Sequence, residues 1–224
     1  MSVQGSKQIV TGGLVLDVDA SNPKSYLTGS QVISTLIGGS TYSASLNGGF
    51  SGSGNGFLYF DGTSNVITTN LLVPSPTTAA TTYDLWFQNY STASYKGLIG
   101  SSNYGVSGFS IGLMGQTSMH HTYNSASAYG EIDFTYNTST ISHGVFIFSA
   151  RTVMVYRNGV LVYSNGFSFD SVASPNPITI GSCQQGGWTL ANVGLYSARV
   201  YTRALSSDEV LQNYNAIKSR FGLT

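Results

Sequence analysis

Charge is scarce in this sequence. Lysine, arginine, aspartate and glutamate make up only 8% of its 224 residues, and nine basic residues balance nine acidic ones. A chain without net charge has no electrostatic attraction for nucleic acid or for an anionic membrane, so we expect neither as a partner. Freely diffusing proteins usually depend on surface charge for solubility. The composition therefore favours a protein that works exposed, or assembled on a larger particle.

Cysteine is almost absent, and long apolar runs are missing. Cys183 stands alone, which excludes an intrachain disulfide and a cluster of metal-binding thiolates. No run reaches the roughly 18 apolar residues that span a membrane, and residues 1–20 lack the apolar segment of a secretory signal. The sequence also lacks a phosphate-binding glycine loop and a nucleophile-elbow serine. We therefore expect no membrane insertion and no secretory route.

What the sequence has in abundance is residues that favour strands and turns. It contains 27 glycines, 15 tyrosines and 11 phenylalanines, and aromatic residues favour pleated strands while glycine, asparagine and serine favour turns. The segments that predict strands are GLVLDVDA, GFLYFDG, TTYDLWFQNY, KGLIGSS, GFSIGLM, EIDFTYN, HGVFIFSA, TVMVYRNGVLVYS, PITIGSC and NVGLYSARVYTRAL. Segment 28–56 predicts long loops with one or two short strands.

Two local patterns are specific enough to place individual residues. Asn158-Gly159 is the pair best suited to a type I′ turn, so residues 153–164 predict a β-hairpin. In YDLWF, alternation places Tyr83 with Leu85 and Phe87 on one face, and Asp84 with Trp86 on the other.

One helix is predicted, over residues 206–221. Ser206 and Glu209 have the spacing of a capping box, and Gly222 suits the position after the helix. The apolar stripe expected to pack on the strands consists of Val210, Leu211, Tyr214, Ile217 and Phe221.

Four stretches resemble one family of β-sandwich domains. They are IVTGGLVLDVDASNPKSY (9–26), FLYFDGTSNVI (57–67), VYRNGVLV (155–162) and VGLYSARVYTRALSSDEVLQNYNAIKSRFG (193–222). Together they resemble the laminin G-like, or concanavalin A-like, jelly-roll domains of structural proteins of tailed bacteriophages, cyanophages among them. The resemblance implies an all-β fold of two stacked antiparallel sheets, with adjacent first and last strands and one C-terminal helix. It also implies a single domain over residues 1–224.

The resemblance further implies a function. We expect a non-enzymatic virion structural protein on the particle surface, serving as capsid decoration or as a tail component. Its partners would be other virion proteins, such as the major capsid or tail proteins, and further copies of itself as a homo-oligomer. Weak adhesion to a host surface glycan is expected in addition. The alternatives are a lectin-like carbohydrate-binding module for host recognition and a glycoside hydrolase.

The stretch GEIDFTYN (130–137) bears on the hydrolase alternative. In a regular strand Glu131, Asp133 and Thr135 would share one face, with neighbours about 7 Å apart. The resembled hydrolases carry Glu, Asp and Glu in such a row, with the first as nucleophile and the last as acid. Thr135 takes the place of that acid, and a hydroxyl cannot donate a proton at a useful pKa. We therefore expect no catalysis, and Glu131 and Asp133 become candidates for contacts with a glycan.

Other candidate glycan contacts lie in the loop SCQQGGWTL (182–190). Trp188 offers a flat apolar face with a polar edge, which suits stacking on a sugar ring. Gln184 and Gln185 stand beside a pair of glycines in the same loop and offer hydrogen-bonding side chains.

A calcium site is the one cofactor alternative. Relatives in the resembled family hold calcium through an acid near the position of Tyr196, and that acid is missing here. We therefore expect no cofactor and a turn role for Asp61, which would accept backbone hydrogen bonds. The alternative is a weak calcium site formed by Asp19, Asp61 and Asn65.

The three histidines do not form a metal site by spacing. His120 and His121 are adjacent, so on a strand they point to opposite faces. For His143 we expect packing at the start of a strand.

The N-terminal residues 1–10 have two interpretations. They form a docking arm that contacts a partner through Gln8, Ile9 and Val10, or they form the first edge strand. An unpaired edge there would suit strand addition to a partner.

Overall fold

The structure is a computed structural model, and it describes residues 8–27, 30, 32–38, 41–45, 56–75, 77–93, 95–103, 106–124, 127–135, 140–183 and 189–223. Within these residues the strands are β1 (Leu14–Asp19), β2 (Val32–Ser34), β3 (Thr41–Ser45), β4 (Leu58–Asp61), β5 (Val66–Thr68), β6 (Thr81–Asn89), β7 (Lys96–Gly100), β8 (Phe109–Met114), β9 (Thr117–Asn124), β10 (Ser127–Thr135), β11 (Ser142–Ser149), β12 (Thr152–Arg157), β13 (Val160–Gly166), β14 (Thr179–Ile180), β15 (Thr189–Leu190) and β16 (Asn192–Tyr201). Helix α1 (Ser207–Ile217) follows and continues as a 3₁₀ turn, Lys218–Phe221.

These strands form a sandwich of two antiparallel sheets, as expected. One sheet has seven strands in the order β1-β16-β6-β11-β12-β13, and β4 also pairs with β16. The other has nine strands in the order β10-β9-β8-β7-β14-β5-β3-β2, and β15 runs parallel to β7 at its side. The first and last strands, β1 and β16, are adjacent and antiparallel. The prediction of a two-sheet jelly roll is confirmed.

The main core lies between the two sheets. Alternation along β6 sends Tyr83, Leu85 and Phe87 into this core, where they are fully buried. Asp84 and Trp86 take the opposite face, as predicted. Both faces of β6 are therefore buried, one by the second sheet and the other by the C-terminal helix.

Helix α1 covers the outer face of the seven-stranded sheet. The predicted capping box is present, because Ser206 Oγ accepts from the Glu209 backbone N–H and the Glu209 carboxylate accepts from the Ser206 N–H. Gly222 adopts φ 68° at the end of the 3₁₀ turn. The predicted stripe is wrong at Leu211, which is 44% exposed. Asn213 is buried in its place because its amide bonds to groups beneath the helix.

The hairpin prediction is confirmed, whereas two strand boundaries differ from expectation. Asn158 and Gly159 have φ 50° and 81° between β12 and β13, the two positive values that a type I′ turn requires. Strand β9 was not among the segments predicted as strands, and β10 begins at Ser127 rather than Glu131. These strands contain small, polar residues whose pattern is weak, and they pair with each other over most of their length.

Candidate binding site

The predicted carboxylate pair lies on β10, which stands at the end of the nine-stranded sheet. Glu131 pairs with His120 and Ile132 with Met119, but the next pair joins Thr135 to Thr117. The chain advances three residues along β10, from Ile132 to Thr135, while it advances only two along β9, from Met119 to Thr117. This extra residue is the pattern of a β-bulge. The even alternation assumed for Glu131, Asp133 and Thr135 therefore does not hold across Asp133.

The predicted glycan loop falls on residues that the structure does not describe. Gln184, Gln185 and Trp188 lie outside the described residues, whereas the flanks of the loop are placed. Cys183 is buried against β7, and a Cβ atom added at Gly97 would lie 2.7 Å from its Sγ. On the far side, Leu190 pairs with Gly97. Both ends of the loop therefore meet β7 of the nine-stranded sheet.

Asp61 stabilises its own turn, as expected. Its Oδ1 accepts from the backbone N–H groups of Thr63 and Ser64 at 2.8 and 3.0 Å. Burial alone would raise the pKa of Asp61, but these backbone hydrogen bonds bring it well below the usual range. Asn65 donates to the Tyr59 carbonyl at 2.9 Å and is buried. Both side chains thus have partners within the turn.

Asp19, the third proposed calcium ligand, is paired with the C-terminal segment. Its two carboxylate oxygens each lie 2.9 Å from Arg220 Nη1, and Oδ1 also accepts from Ser21. Among the described residues, no group of three or more histidine, cysteine or acidic side chains is close enough to hold a metal ion. Asp19 therefore acts here as an anchor for the C-terminal turn.

Residues 8–10 dock on their own chain, and the rest of the predicted arm, residues 1–7, lies outside the described residues. Residues 8–10 form no strand, so the edge-strand interpretation is wrong for them. The Val10 N–H donates to Asn213 Oδ1 at 2.8 Å, and the Val10 carbonyl accepts from Tyr201 Oη at 3.1 Å. The Gln8 carbonyl accepts from Gln212 at 2.8 Å, and Ile9 packs against the same helix interface. Both backbone groups of Val10 are thus used within the chain, while the side chain of Gln8 is exposed.

A buried polar network lies beneath α1. Asp84 Oδ1 is 3.1 Å from His143 Nε2, and Asp84 Oδ2 accepts from Asn213 Nδ2 at 2.8 Å. Arg199 Nε lies 2.9 Å from Asp17 Oδ1, and its Nη1 lies 3.9 Å from Asp84. All five side chains are buried. The strand register explains this proximity, since Arg199 stands opposite both Asp17 on β1 and Asp84 on β6.

Sequence reasoning also missed an aromatic patch on the outer face of the seven-stranded sheet. We define the aromatic patch as the rings of Phe57, Tyr59, Tyr90 and Tyr196. Neighbouring ring centroids lie 5.4 Å apart for Phe57 and Tyr196 and 5.9 Å apart for Tyr59 and Tyr90. Gln88 Oε1 lies 3.4 Å from the hydroxyls of both Tyr90 and Tyr196. The alternation of GFLYFDG already placed Phe57 and Tyr59 on one face, but nothing local placed Tyr90 and Tyr196 beside them.

The family follows from the sequence profile that the chain matches. Residues 60–211 match the profile of the concanavalin A-like lectin/glucanases superfamily, laminin G type. The protein belongs to this superfamily. No curated protein matches the chain in sequence.

Solved structures with a fold similar to that of this concanavalin A-like protein include binding domains of toxins. The binding domain of paraclostridial mosquitocidal protein 1 has a TM-score of 0.70 at 14% identity, over 94% of this chain and 55% of that one. The binding domain of botulinum neurotoxin DC in complex with SialylT has a TM-score of 0.65 at 14% identity, over 92% and 52%. The same binding domain in complex with rat synaptotagmin II has a TM-score of 0.64 at 13% identity, also over 92% and 52%. This chain spans about half the length of those chains, and identities this low show a shared fold alone.

No helix in the described part of this concanavalin A-like protein is long and apolar enough to cross a membrane.

The charged groups predict how the stability of this concanavalin A-like protein depends on pH. Hydrogen bonds from Arg203 lower the pKa of Glu209 to about 2. For Asp84, burial opposes ionisation, but His143 and Arg199 lower its pKa overall. A carboxyl whose pKa is lower in the folded state stabilises that state above its unfolded pKa, and this contribution is lost as the pH falls through the folded value. Burial raises the pKa of Asp17, which acts in the opposite direction.

We therefore expect the melting temperature to fall as the pH is lowered from about 4.5 towards 2, with Asp17 offsetting part of the loss. Thermal unfolding followed by circular dichroism across this range measures the effect. In the variant Glu209→Gln, the melting temperature should depend less on pH within this range. A melting temperature that stays constant or rises on acidification would contradict the lowered pKa values of Glu209 and Asp84.

Proposed function

We propose that this protein is a non-catalytic binding domain of the lectin type. Its membership of the concanavalin A-like lectin/glucanases superfamily carries the proposal, because the name of that superfamily includes lectins. In the resembled hydrolases the proton donor follows the nucleophile on the same strand, and here that place is held by Thr135. Binding without cleavage is the activity that remains.

The named ligands of solved relatives support binding as the use of this fold. The botulinum neurotoxin DC binding domain was solved with SialylT and with rat synaptotagmin II. One fold can thus serve partners of different chemistry, and a domain's function depends on the site it carries. A host surface glycan is the ligand we propose here.

We further propose that the domain acts on a virion, as a capsid-decoration protein or a tail component at the particle surface. The four stretches that resemble domains of tailed-phage structural proteins support this setting, and so does a surface poor in charge. In this role it would contact major capsid or tail proteins and assemble as a homo-oligomer. Mass spectrometry of purified particles, with copy numbers counted against the major capsid protein, tests the setting. Absence of the protein from particles would refute it.

Glycan binding is tested on the intact protein. An array of neutral and sialylated glycans identifies ligands, and each hit should raise the melting temperature in a concentration-dependent way, since a ligand of the folded state stabilises it. If no glycan binds and no melting temperature rises, the lectin proposal fails, whereas the virion setting is judged by the particle measurement alone.

We predict that the protein releases no reducing sugar from polysaccharide substrates. The physical reason is the missing proton donor, without which a retaining mechanism cannot protonate the leaving group. Reducing-end assays on soluble β-glucans and on purified host-cell polysaccharide measure this. Glu131→Gln should behave like the unmodified protein in the same assay. Turnover that this substitution abolishes would make the protein a glycosidase instead.

A further inference from the structure

We propose that the aromatic patch is a binding site for a neutral pyranose ring. This inference rests on the proposed lectin-type function and assigns it to a surface on the seven-stranded sheet. The ligand class is a saccharide whose apolar ring face stacks on Tyr90 and Tyr59 while its hydroxyls meet the groups around Gln88.

Gly194 creates the patch. On the sheet, Gly194 pairs with Tyr59 of β4 on one side and with Gln88 of β6 on the other. Because the middle position has no side chain, the phenol end of Tyr90 lies over it. A Cβ atom at Gly194 would lie 2.7 Å from Tyr90 Oη and 3.0 Å from Phe57 Cδ2. The rings of Tyr90 and Phe57 therefore lie directly over the backbone at Gly194.

The rings are held in place, and those of Phe57, Tyr59 and Tyr90 remain partly accessible. Tyr196 is buried and packs against Phe57 at 5.4 Å and against Phe221 at 4.9 Å, so it supports the patch from below. Phe57 and Tyr59 are half-buried, and Tyr90 is 38% exposed. A ligand would thus meet rings that are already ordered, which reduces the entropy lost on binding.

The chemistry of the patch fits a neutral ligand with hydroxyl groups. Burial raises the pKa of Tyr196 to about 12, and burial likewise raises that of Tyr90, so both phenols are neutral at physiological pH, and both donate to Gln88 Oε1 at 3.4 Å. Arg220 borders the patch, where its guanidinium lies 5.1 Å from the Phe221 ring, but it is already paired with Asp19. A phosphate or nucleic-acid ligand would require uncompensated positive charge. Neutral aromatic faces beside an amide and two hydroxyls favour a sugar.

Packing accounts for Phe57 and Tyr196, which belong to the apolar cluster with Trp86 and Tyr214, but Tyr59 and Tyr90 are not part of that cluster. In β4 the core positions are Leu58 and Phe60, and the outward positions of a strand facing water are usually polar. Here Tyr59, at an outward position of β4, and Tyr90, just after β6, carry partly exposed aromatic rings, and exposed apolar surface of this kind can mark a binding site.

The test is binding of methyl pyranosides to the full chain, followed by NMR of the tyrosine ring resonances. The probes are the methyl glycosides of glucose, galactose, mannose, fucose and N-acetylglucosamine, together with any glycan that binds on an array. We expect at least one probe to shift the resonances of Tyr59 and Tyr90. Tyr90→Ala should weaken that binding about tenfold, since loss of one stacked ring removes roughly 1.4 kcal/mol.

Three variants separate the site from the fold. Tyr90→Phe keeps the ring and should retain most of the affinity. Gly194→Ala should displace the Tyr90 ring and weaken binding while the protein stays folded, because the displaced atom is the far end of a side chain. Tyr95→Ala is the matched control, since Tyr95 is an exposed tyrosine outside the patch, and it should bind like the unmodified protein.

The outcomes distinguish the site from the function. Binding lost in Tyr90→Ala and kept in Tyr95→Ala supports the patch as the site. If a glycan binds Tyr90→Ala and Gly194→Ala as tightly as it binds the unmodified protein, the patch is not its site. The lectin proposal then still stands. If no probe and no array glycan binds the unmodified protein, both the patch as a sugar site and the lectin-type function are overturned.

Discussion

Replacement of Asp84 by alanine is expected to destabilise the folded protein by about 3–5 kcal/mol, the cost of leaving buried charged partners without their counterpart. Asp84 is fully buried and serves three groups at once, namely His143, Asn213 and Arg199. The variant leaves a buried guanidinium with Asp17 alone and removes the acceptor that the Asn213 amide uses between helix and sheet.

Urea denaturation measures this loss, with a lower midpoint at an unchanged slope indicating a change in stability alone. The matched control is Asp170→Ala. Asp170 also pairs with an arginine, Arg151 at 2.8 Å, but their side chains are 70% and 51% exposed. Exposed pairs contribute at most about 1 kcal/mol. Equal losses in the two variants would show that the buried network does not stabilise the fold.

Replacement of Trp86 by alanine is expected to cost about 3–5 kcal/mol as well, the range for removing a large aromatic side chain from a core. Trp86 is fully buried between the sheet and the C-terminal segment. Its ring stacks on His143 at 4.7 Å and on Tyr214 at 5.7 Å, with Phe221 at 5.0 Å. The substitution opens a cavity at the helix–sheet contact, so we expect α1 to detach more readily than the sandwich unfolds.

Hydrogen exchange of the α1 amides measures this local effect, because exchange reports local opening separately from global unfolding. The α1 amides should exchange faster in Trp86→Ala relative to those of β6 and β11. Trp86→Phe, which keeps a ring at the same place, should lose less stability. Leu211→Ala is the control on the helix itself, since Leu211 faces solvent. Unchanged α1 exchange in Trp86→Ala would contradict the docking role.

Local patterns predicted much of the fold because the interactions behind them are local. The capping box joins Ser206 to Glu209, three residues apart, and the Asn158-Gly159 turn needs two adjacent positive φ values. The faces of β6 followed from the two-residue repeat of a strand. The same reasoning was wrong at Leu211, because the polar Asn213 takes the buried position of the helical repeat through its long-range hydrogen bond to Asp84. It was also wrong in β10, where a bulge interrupts the two-residue repeat.

The aromatic patch and the buried polar network depend on contacts between segments far apart in the chain. Tyr59, Gln88 and Gly194 become neighbours only because β4 and β6 pair with opposite sides of β16. The same pairing brings Arg199 to Asp84 and Asp17. No spacing in the sequence encodes these registers, which are set jointly by the core side chains of both sheets. Sequence reasoning therefore proposed single polar and apolar residues but neither of these clusters.

By itself the sequence determined that this protein is built of strands, that its charges cancel, and where its hairpin and its final helix lie, because these properties depend on composition and on neighbours within a few residues. Only the tertiary structure decided which aromatic and charged side chains meet, since pairing of distant strands is what places them on one face. The physical reason is range: turns and caps form between neighbours in the chain, whereas a binding surface on a sandwich requires the whole sheet to be assembled.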